Sequence, residues 1–228
     1  NDHLGFDYKW SGGWTKDLLT YLEAEPENRK DHYDQLTLSM MYAYSEHYVL
    51  TLGKRDVGCR EEFLKKLPGS SKQKAAQLRA AYAYLTVNPG IKMTAPDGDE
   101  KTEMKAYLHD LNELYRTYPA LYSMDGNSDG FEWIQFTSSD ENIVAFLRKT
   151  EKKNETLLVV CNFSPVSYDS YHVGVPFAGK YKEIFNSDDK KYGGEGLVNL
   201  RAKSAKKAEC DEREYSVTLK LPALGVAI

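Results

Sequence analysis

Cysteine is scarce in this chain, and the little there is argues against structural roles. Cys59, Cys161 and Cys210 are odd in number and far apart. They have the spacing of neither a zinc site nor a redox dithiol, so free thiols in a reducing compartment are expected. No apolar run approaches the length needed to span a bilayer, so no membrane partner is expected. No basic-then-apolar leader is visible, and cytoplasm is the expected location. Charge of one sign is also in short supply. The formal net charge is −4, from 30 basic and 34 acidic residues. That dispersed balance argues against a nucleic-acid partner. His3, His32, His47, His109 and His172 form no metal-ligand spacing. No metal or other cofactor is expected, and no internal repeat or low-complexity segment stands out.

What is plentiful is aromatic surface. Seventeen tyrosines and three tryptophans offer flat faces with polar handles. Such faces suit sugar rings, although most aromatic rings serve packing. The 228 residues, 41% of them hydrophobic, suffice for one large domain or two ordinary ones with a substantial core.

In the first half, strand-like and helix-like runs alternate. "LGFDYKWSGGW" reads as a strand entering a glycine-rich turn. Thr15 is placed to cap a helix carrying Leu18, Leu19 and Leu22 on one face. "EAEPENRKDHYD" reads as a polar connection, and Leu36 to Tyr44 as a helix. "HYVLTL" is the next strand, and "CREEFLKK" an ordinary solvated helical face. Lys72 to Thr86 reads as an alanine-rich helix, and "GIKMTAPDGDE" as a short third strand. The helix from about Glu100 to Tyr118 has the clearest apolar spacing and stops at Pro119. From Phe131 onward only short β-rich runs remain, separated by turn chemistry. Alternation followed by strands alone predicts an α/β unit over 1–124 and an all-β sandwich over 125–228.

Seven segments occur in the order found in one known family: "GFDYKWSGGWTKDLLTYL", "NRKDHYDQLTLSMMYAYSE", "LRAAYAYLTVNPG", "DLNELYRTYPALY", "GFEWI", "LLVVCNFSPV" and "NSDDKKYGGEG". The chain resembles the C-terminal part of glycogen (1,4-α-glucan) branching enzymes, members of the α-amylase superfamily. The resemblance implies the last three strands and helices of a (β/α)8 barrel, followed by a C-terminal β-sandwich. It also implies retaining glycosyl transfer, in which a carboxylate nucleophile forms a glycosyl-enzyme and a second carboxyl protonates the leaving oxygen. Those two groups belong to the fourth and fifth barrel strands, whereas this sequence resembles the family from about the sixth onward.

The third family carboxylate comes from a Ser-His-Asp-Glu-Val segment on the seventh strand. Here "VLTLGKRDV" aligns with it, placing Gly53, Lys54, Arg55, Asp56 and Val57 on the five positions in turn. Arg55 therefore stands where the transition-state carboxylate belongs, and a guanidinium repels an oxocarbenium-like charge. Sliding the alignment by one residue would rescue Asp56 but spoil Val57. The family's long loop after the eighth strand is also cut short at "IKMTAPDGDE". No catalytic residue is therefore expected in this chain.

By the same resemblance, Asp7, Lys9, Trp10 and Trp14 are candidates for contacting α-glucan, the possible ligand. The competing reading makes them a tight aromatic turn packed against neighbouring helices. Asn186, Asp188 and Tyr192 are placed either to touch sugar or to shape a turn in which Gly193 and Gly194 supply positive φ. Three readings follow: a silent glucan-binding or scaffold fragment, a component of a split branching enzyme, or a structural module without glucan affinity. An open barrel edge predicts self-association or a partner chain.

Overall fold

The computed structural model describes residues 7–42, 47–52, 59–94 and 102–228. Its first half contains β1 (Lys9–Trp10), α1 (Gly12–Glu23), a 3-10 turn (Pro26–His32), α2 (Tyr33–Tyr42), β2 (Tyr48–Leu50), α3 (Cys59–Lys66), α4 (Ser71–Val87), β3 (Ile91–Lys92) and α5 (Thr102–Thr117). The three strands form one parallel sheet in sequence order, with Trp10 opposite Val49 and Val49 opposite Ile91. Helical crossovers are what parallel neighbours require.

The local chemistry differs from the sequence expectation at three places. Ser11 occupies the N-cap of α1, so Thr15 lies inside the helix. The Thr15 hydroxyl instead donates to the Thr51 carbonyl at 2.8 Å, tying α1 to the end of β2. The polar connection after α1 coils into the 3-10 turn and buries Arg29 completely. On α3, Phe63 is buried, and Leu67 just beyond the helix is buried as well, so this segment is not wholly solvated.

Helix α4 is the central element. Ser70 and Gln73 form a reciprocal capping box: Ser70 Oγ accepts from the Gln73 N–H, and Gln73 Oε1 accepts from the Ser70 N–H. Every residue from Gln77 to Val87 is buried. Alanines at 80, 81 and 83 let neighbouring elements approach all round, which an amphipathic helix would not allow. Helix α5 instead shows one buried stripe, Met104, Tyr107, Leu111 and Leu114, packed towards α4.

The second half is all β. β4 (Phe131–Gln135), β5 (Ile143–Arg148), β6 (Leu157–Asn162) and β11 (Gly225–Ala227) form an antiparallel sheet in the order β11-β6-β5-β4. β7 (Tyr168–Val175) pairs with β10 (Tyr215–Leu221), and β8 (Lys180–Tyr181) with β9 (Lys203–Ser204). All six residues of β5 are buried, because one face meets the opposing strands and the other meets the helical half.

One hydrophobic core runs through both halves. It joins Trp14, Tyr21, Tyr84 and Leu85 to Phe146, Cys161, Phe163 and Val226. A second core, including Val173, Val175, Val217 and Leu221, fills the sandwich. Tyr84 meets Phe146 and Phe163 edge-on. Tyr21 OH donates to Asn142 Oδ1 at 3.0 Å, and Tyr33 OH to the Ile143 carbonyl at 2.7 Å. The change of character falls near residue 125, but the connection there is tightly bonded. Asp125 is buried, and a Cβ added at Gly130 would lie 2.6 Å from the Met124 side chain.

Candidate functional site

The turn "KWSGGW" leads from β1 into α1 and sets two tryptophans in different surroundings. Trp10 is 38% exposed and lines an open cleft of roughly 630 Å³. The cleft is also lined by Ser11, Thr15, Lys16, Thr20 and Thr51. Gly12 leaves its floor bare, since nothing lies within 4 Å of where a Cβ would be. One aromatic plane beside several hydroxyls suits a ring that offers C–H groups on one face and hydroxyls at its rim. Thr15 and Thr20 donate to backbone carbonyls, and their oxygens retain lone pairs to accept from a ligand.

Trp14 faces the other way. It is 2% exposed, its Nε1 donates to Asn88 Oδ1 at 3.2 Å, and its ring stacks on Tyr84 at 6.2 Å. A buried indole has no face to offer a sugar. Asp7 is exposed, and Lys9 places its Nζ 4.2 Å over the Tyr48 ring. The structure thus brings Trp10 together with the hydroxyl face of α1 and sends Trp14 into the core. Lys16 and Thr20 carried a weak signal in the sequence, being four apart on one polar helix face.

A buried charge cluster joins β3 to β5. The Arg148 guanidinium pairs with Asp125 Oδ1 and donates to the Val87 carbonyl at 2.6 Å. Asp125 Oδ2 accepts from the Gly90 N–H at 2.9 Å and lies 3.5 Å from Lys92 Nζ. Lys92 Nζ also sits 4.4 Å over the Tyr115 ring. Two cations therefore share one carboxylate where the side chains are 10% or less exposed. Burial pulls the Lys92 pKa down to about 7; Asp125 opposes that shift and Arg148 adds to it.

The loop over residues 186–196 consumes its own polar groups. Asp188 accepts from the Glu195 and Leu197 N–H groups, each at 2.9 Å. Tyr192 is buried against Tyr107, and its OH donates to Asp110 Oδ2 at 2.7 Å. Asn186 Nδ2 donates to Glu183 and to the Leu197 carbonyl. Gly193 has the expected positive φ of 76°, but Gly194 does not. Gly194 is needed because a Cβ there would lie 2.1 Å from the Asp188 carbonyl oxygen. The segment carrying Gly53, Lys54, Arg55, Asp56 and Val57 lies outside the described residues, as does His3. Among the described residues, no group of three or more His, Cys, Asp or Glu side chains is arranged to hold a metal ion. No helix among them is long and apolar enough to cross a membrane.

Residues 133–228 match the family described as the alpha amylase C-terminal all-beta domain. The 1,4-alpha-glucan branching enzyme GlgB of Oceanobacillus iheyensis is 37% identical over 247 residues, covering 99% of this chain. Its counterpart in Aquifex aeolicus is 39% identical over 98% of the chain. Along nearly its whole length the chain is similar to the C-terminal part of branching enzymes, and it spans 39% of the length of these two curated relatives. The match runs over 247 residues against 228 in this chain. The Oceanobacillus enzyme therefore carries residues within the matched region that this chain lacks. A solved cyclomaltodextrinase shares the fold, with a TM-score of 0.58 over 96% of this chain and 36% of its own, at 14% identity.

Proposed function

We propose that this branching-enzyme relative contacts α-glucan through the Trp10 cleft and makes no α-1,6 branches on its own. The observation that carries the reading is the whole-chain similarity to 1,4-alpha-glucan branching enzymes. On this reading the three parallel βα units are the sixth to eighth units of a (β/α)8 barrel. The nucleophile and the acid would then have to come from residues outside this chain, and Arg55 stands where the stabilising carboxylate belongs. Asp7 and Lys9 flank the glucan approach, while Trp14 supports it from the core.

Affinity electrophoresis in gels containing glycogen tests the binding. The chain is expected to be retarded, and Trp10→Ala to lose most of the retardation without a change in melting temperature. Loss of one stacked sugar contact is worth about 1 kcal/mol, or roughly a fivefold weakening. Retardation unchanged in Trp10→Ala, or none in the parent chain, contradicts the assignment.

A second reading, a component of a split branching enzyme, is favoured by the sheet edges. Among the described residues β1 and β3 each have a single strand neighbour, and Tyr8, Trp10, Ile91 and Met93 are at least 38% exposed. Closure of such a barrel uses eight strands, and unpaired edges invite another chain. Light scattering after size-exclusion chromatography is expected to show a mass that rises with concentration. A monodisperse monomer at all concentrations would show that the edges need no partner.

A further inference from the structure

The sandwich has a second cavity that glucan contact does not use. It opens between β6 and β10 and measures roughly 360 Å³. That is the lower end of the range for small-molecule sites, roughly 300–1,000 Å³. Its walls include Leu158, Val160, Val217, Leu219, Phe177 and Tyr181. Five of these belong to the sandwich core or pack against it directly, so the cavity is a continuation of apolar packing rather than a surface dimple. Tyr181 has its hydroxyl committed, donating to the Phe177 carbonyl at 2.9 Å. The aromatic wall therefore presents carbon to the interior.

Four of the five charged residues lining this cavity are cations. Lys153, Lys180, Lys182 and Lys203 line it. Among the described residues none of these four has a carboxylate within ion-pair distance. The nearby Glu155 is taken by Lys152 at 3.0 Å. Among the described lining residues Glu183 is the one acid. Its oxygens accept from the Asn199 N–H at 2.9 Å, from Asn199 Nδ2 at 2.8 Å and from Asn186 Nδ2 at 3.0 Å. Glu183 is thereby held as part of the wall and does not reach out to a lysine. An apolar interior with several unneutralised cations selects a ligand with an apolar body and one anionic end.

We propose that this cavity binds a small amphiphilic carboxylate, with its hydrocarbon body between β6 and β10 and its carboxylate among the four lysines. Glucan has the wrong chemistry for it, lacking both a charge and a hydrocarbon body. The site is also separate in sequence from the Trp10 cleft, so its occupancy is independent of the proposed glucan contact.

Isothermal titration of the 228-residue chain with sodium decanoate, below its micelle-forming concentration, tests the assignment. Saturable binding with one site per chain is expected, with at least tenfold weaker binding of acetate and of decyltrimethylammonium. The double variant Lys180→Gln/Lys182→Gln is expected to weaken decanoate binding at least fivefold. Leu158→Trp, checked for an unchanged fold by circular dichroism, is expected to abolish it by filling the cavity. The Trp10→Ala variant is expected to bind decanoate as the parent does. Absence of saturable binding overturns the proposal. Equal affinity for acetate or for the cationic amphiphile also overturns it, as does decanoate binding that survives both the charge and the filling variants.

Discussion

Asp125→Asn is expected to lower the melting temperature on the order of 10 °C. The substitution leaves Arg148 and Lys92 buried without their shared carboxylate. Removing one partner of a buried ion pair costs about 3–5 kcal/mol, and each kcal/mol is worth roughly 2–4 °C in a domain of this size. The Asn oxygen still accepts from the Gly90 N–H, so the loss is mainly electrostatic. Lys92→Met is expected to act in the opposite direction at pH 6–7, because it removes the cation whose burial is least compensated. The pH dependence has a definite sign. Lys92 holds its proton up to about pH 7 in the folded chain and up to about 10.5 in the unfolded one. Between those values the unfolded state binds more protons, so stability attributable to this lysine rises with pH. It is lost as pH falls through 7. Thermal melts of parent and Lys92→Met from pH 6 to pH 10 check this: the parent is expected to gain on the variant as pH rises. A parallel pair of curves contradicts it.

The second large effect is expected at Arg29. This guanidinium is fully buried, and it bonds the carbonyls of Leu22 and Ala24 at the end of α1, the carbonyl of Phe163, and Gln77 Oε1 on α4. It therefore closes the C-terminus of one helix, whose last carbonyls lack helical partners. It also fastens that end to both the sandwich and the central helix. Arg29→Ala strands the buried Leu22 and Phe163 carbonyls and Gln77 Oε1 at about 1–3 kcal/mol each, besides the half-buried Ala24 carbonyl. Such terms are not additive, and a loss of about 4 kcal/mol or more is expected. Arg29→Lys is expected to recover little, since an ammonium cannot reproduce the planar fork. Denaturant unfolding of both variants measures this. A loss under about 1 kcal/mol for Arg29→Ala would mean that the carbonyls find other donors.

These two positions also show what could be read from the sequence. Alanine content marked α4, and apolar periodicity marked α5, within a few residues. The β-branched runs marked β4 to β7 and β10, because each of those elements carries its own pattern. Arg29 was invisible inside "EPENRKDH", since its burial is decided by a carbonyl 134 residues away. The Lys92, Asp125 and Arg148 cluster was invisible for the same reason, its members lying on separate elements. β11 was missed behind "PALGVAI", where three residues suffice because β6 supplies the pairing. At the candidate site the aromatic turn was legible as a motif, but not its orientation. One helical turn separates Trp10 at the surface from Trp14 in the core, and only packing against Tyr84 and Asn88 decides which indole goes inside.

The proposed function rests on similarity to branching enzymes along nearly the whole chain, and chemistry can test it outright. Under the proposed function the two reacting carboxylates of a retaining transfer belong to strands other than those this chain resembles, and Arg55 stands at the position of the third. The purified chain should therefore leave amylose unbranched. Chain-length analysis of the debranched product after prolonged incubation is the direct measurement. An unchanged distribution, identical to that of amylose incubated without protein, is the predicted result. A protein-dependent increase in α-1,6-linked chains, retained through a second purification step, would contradict the account.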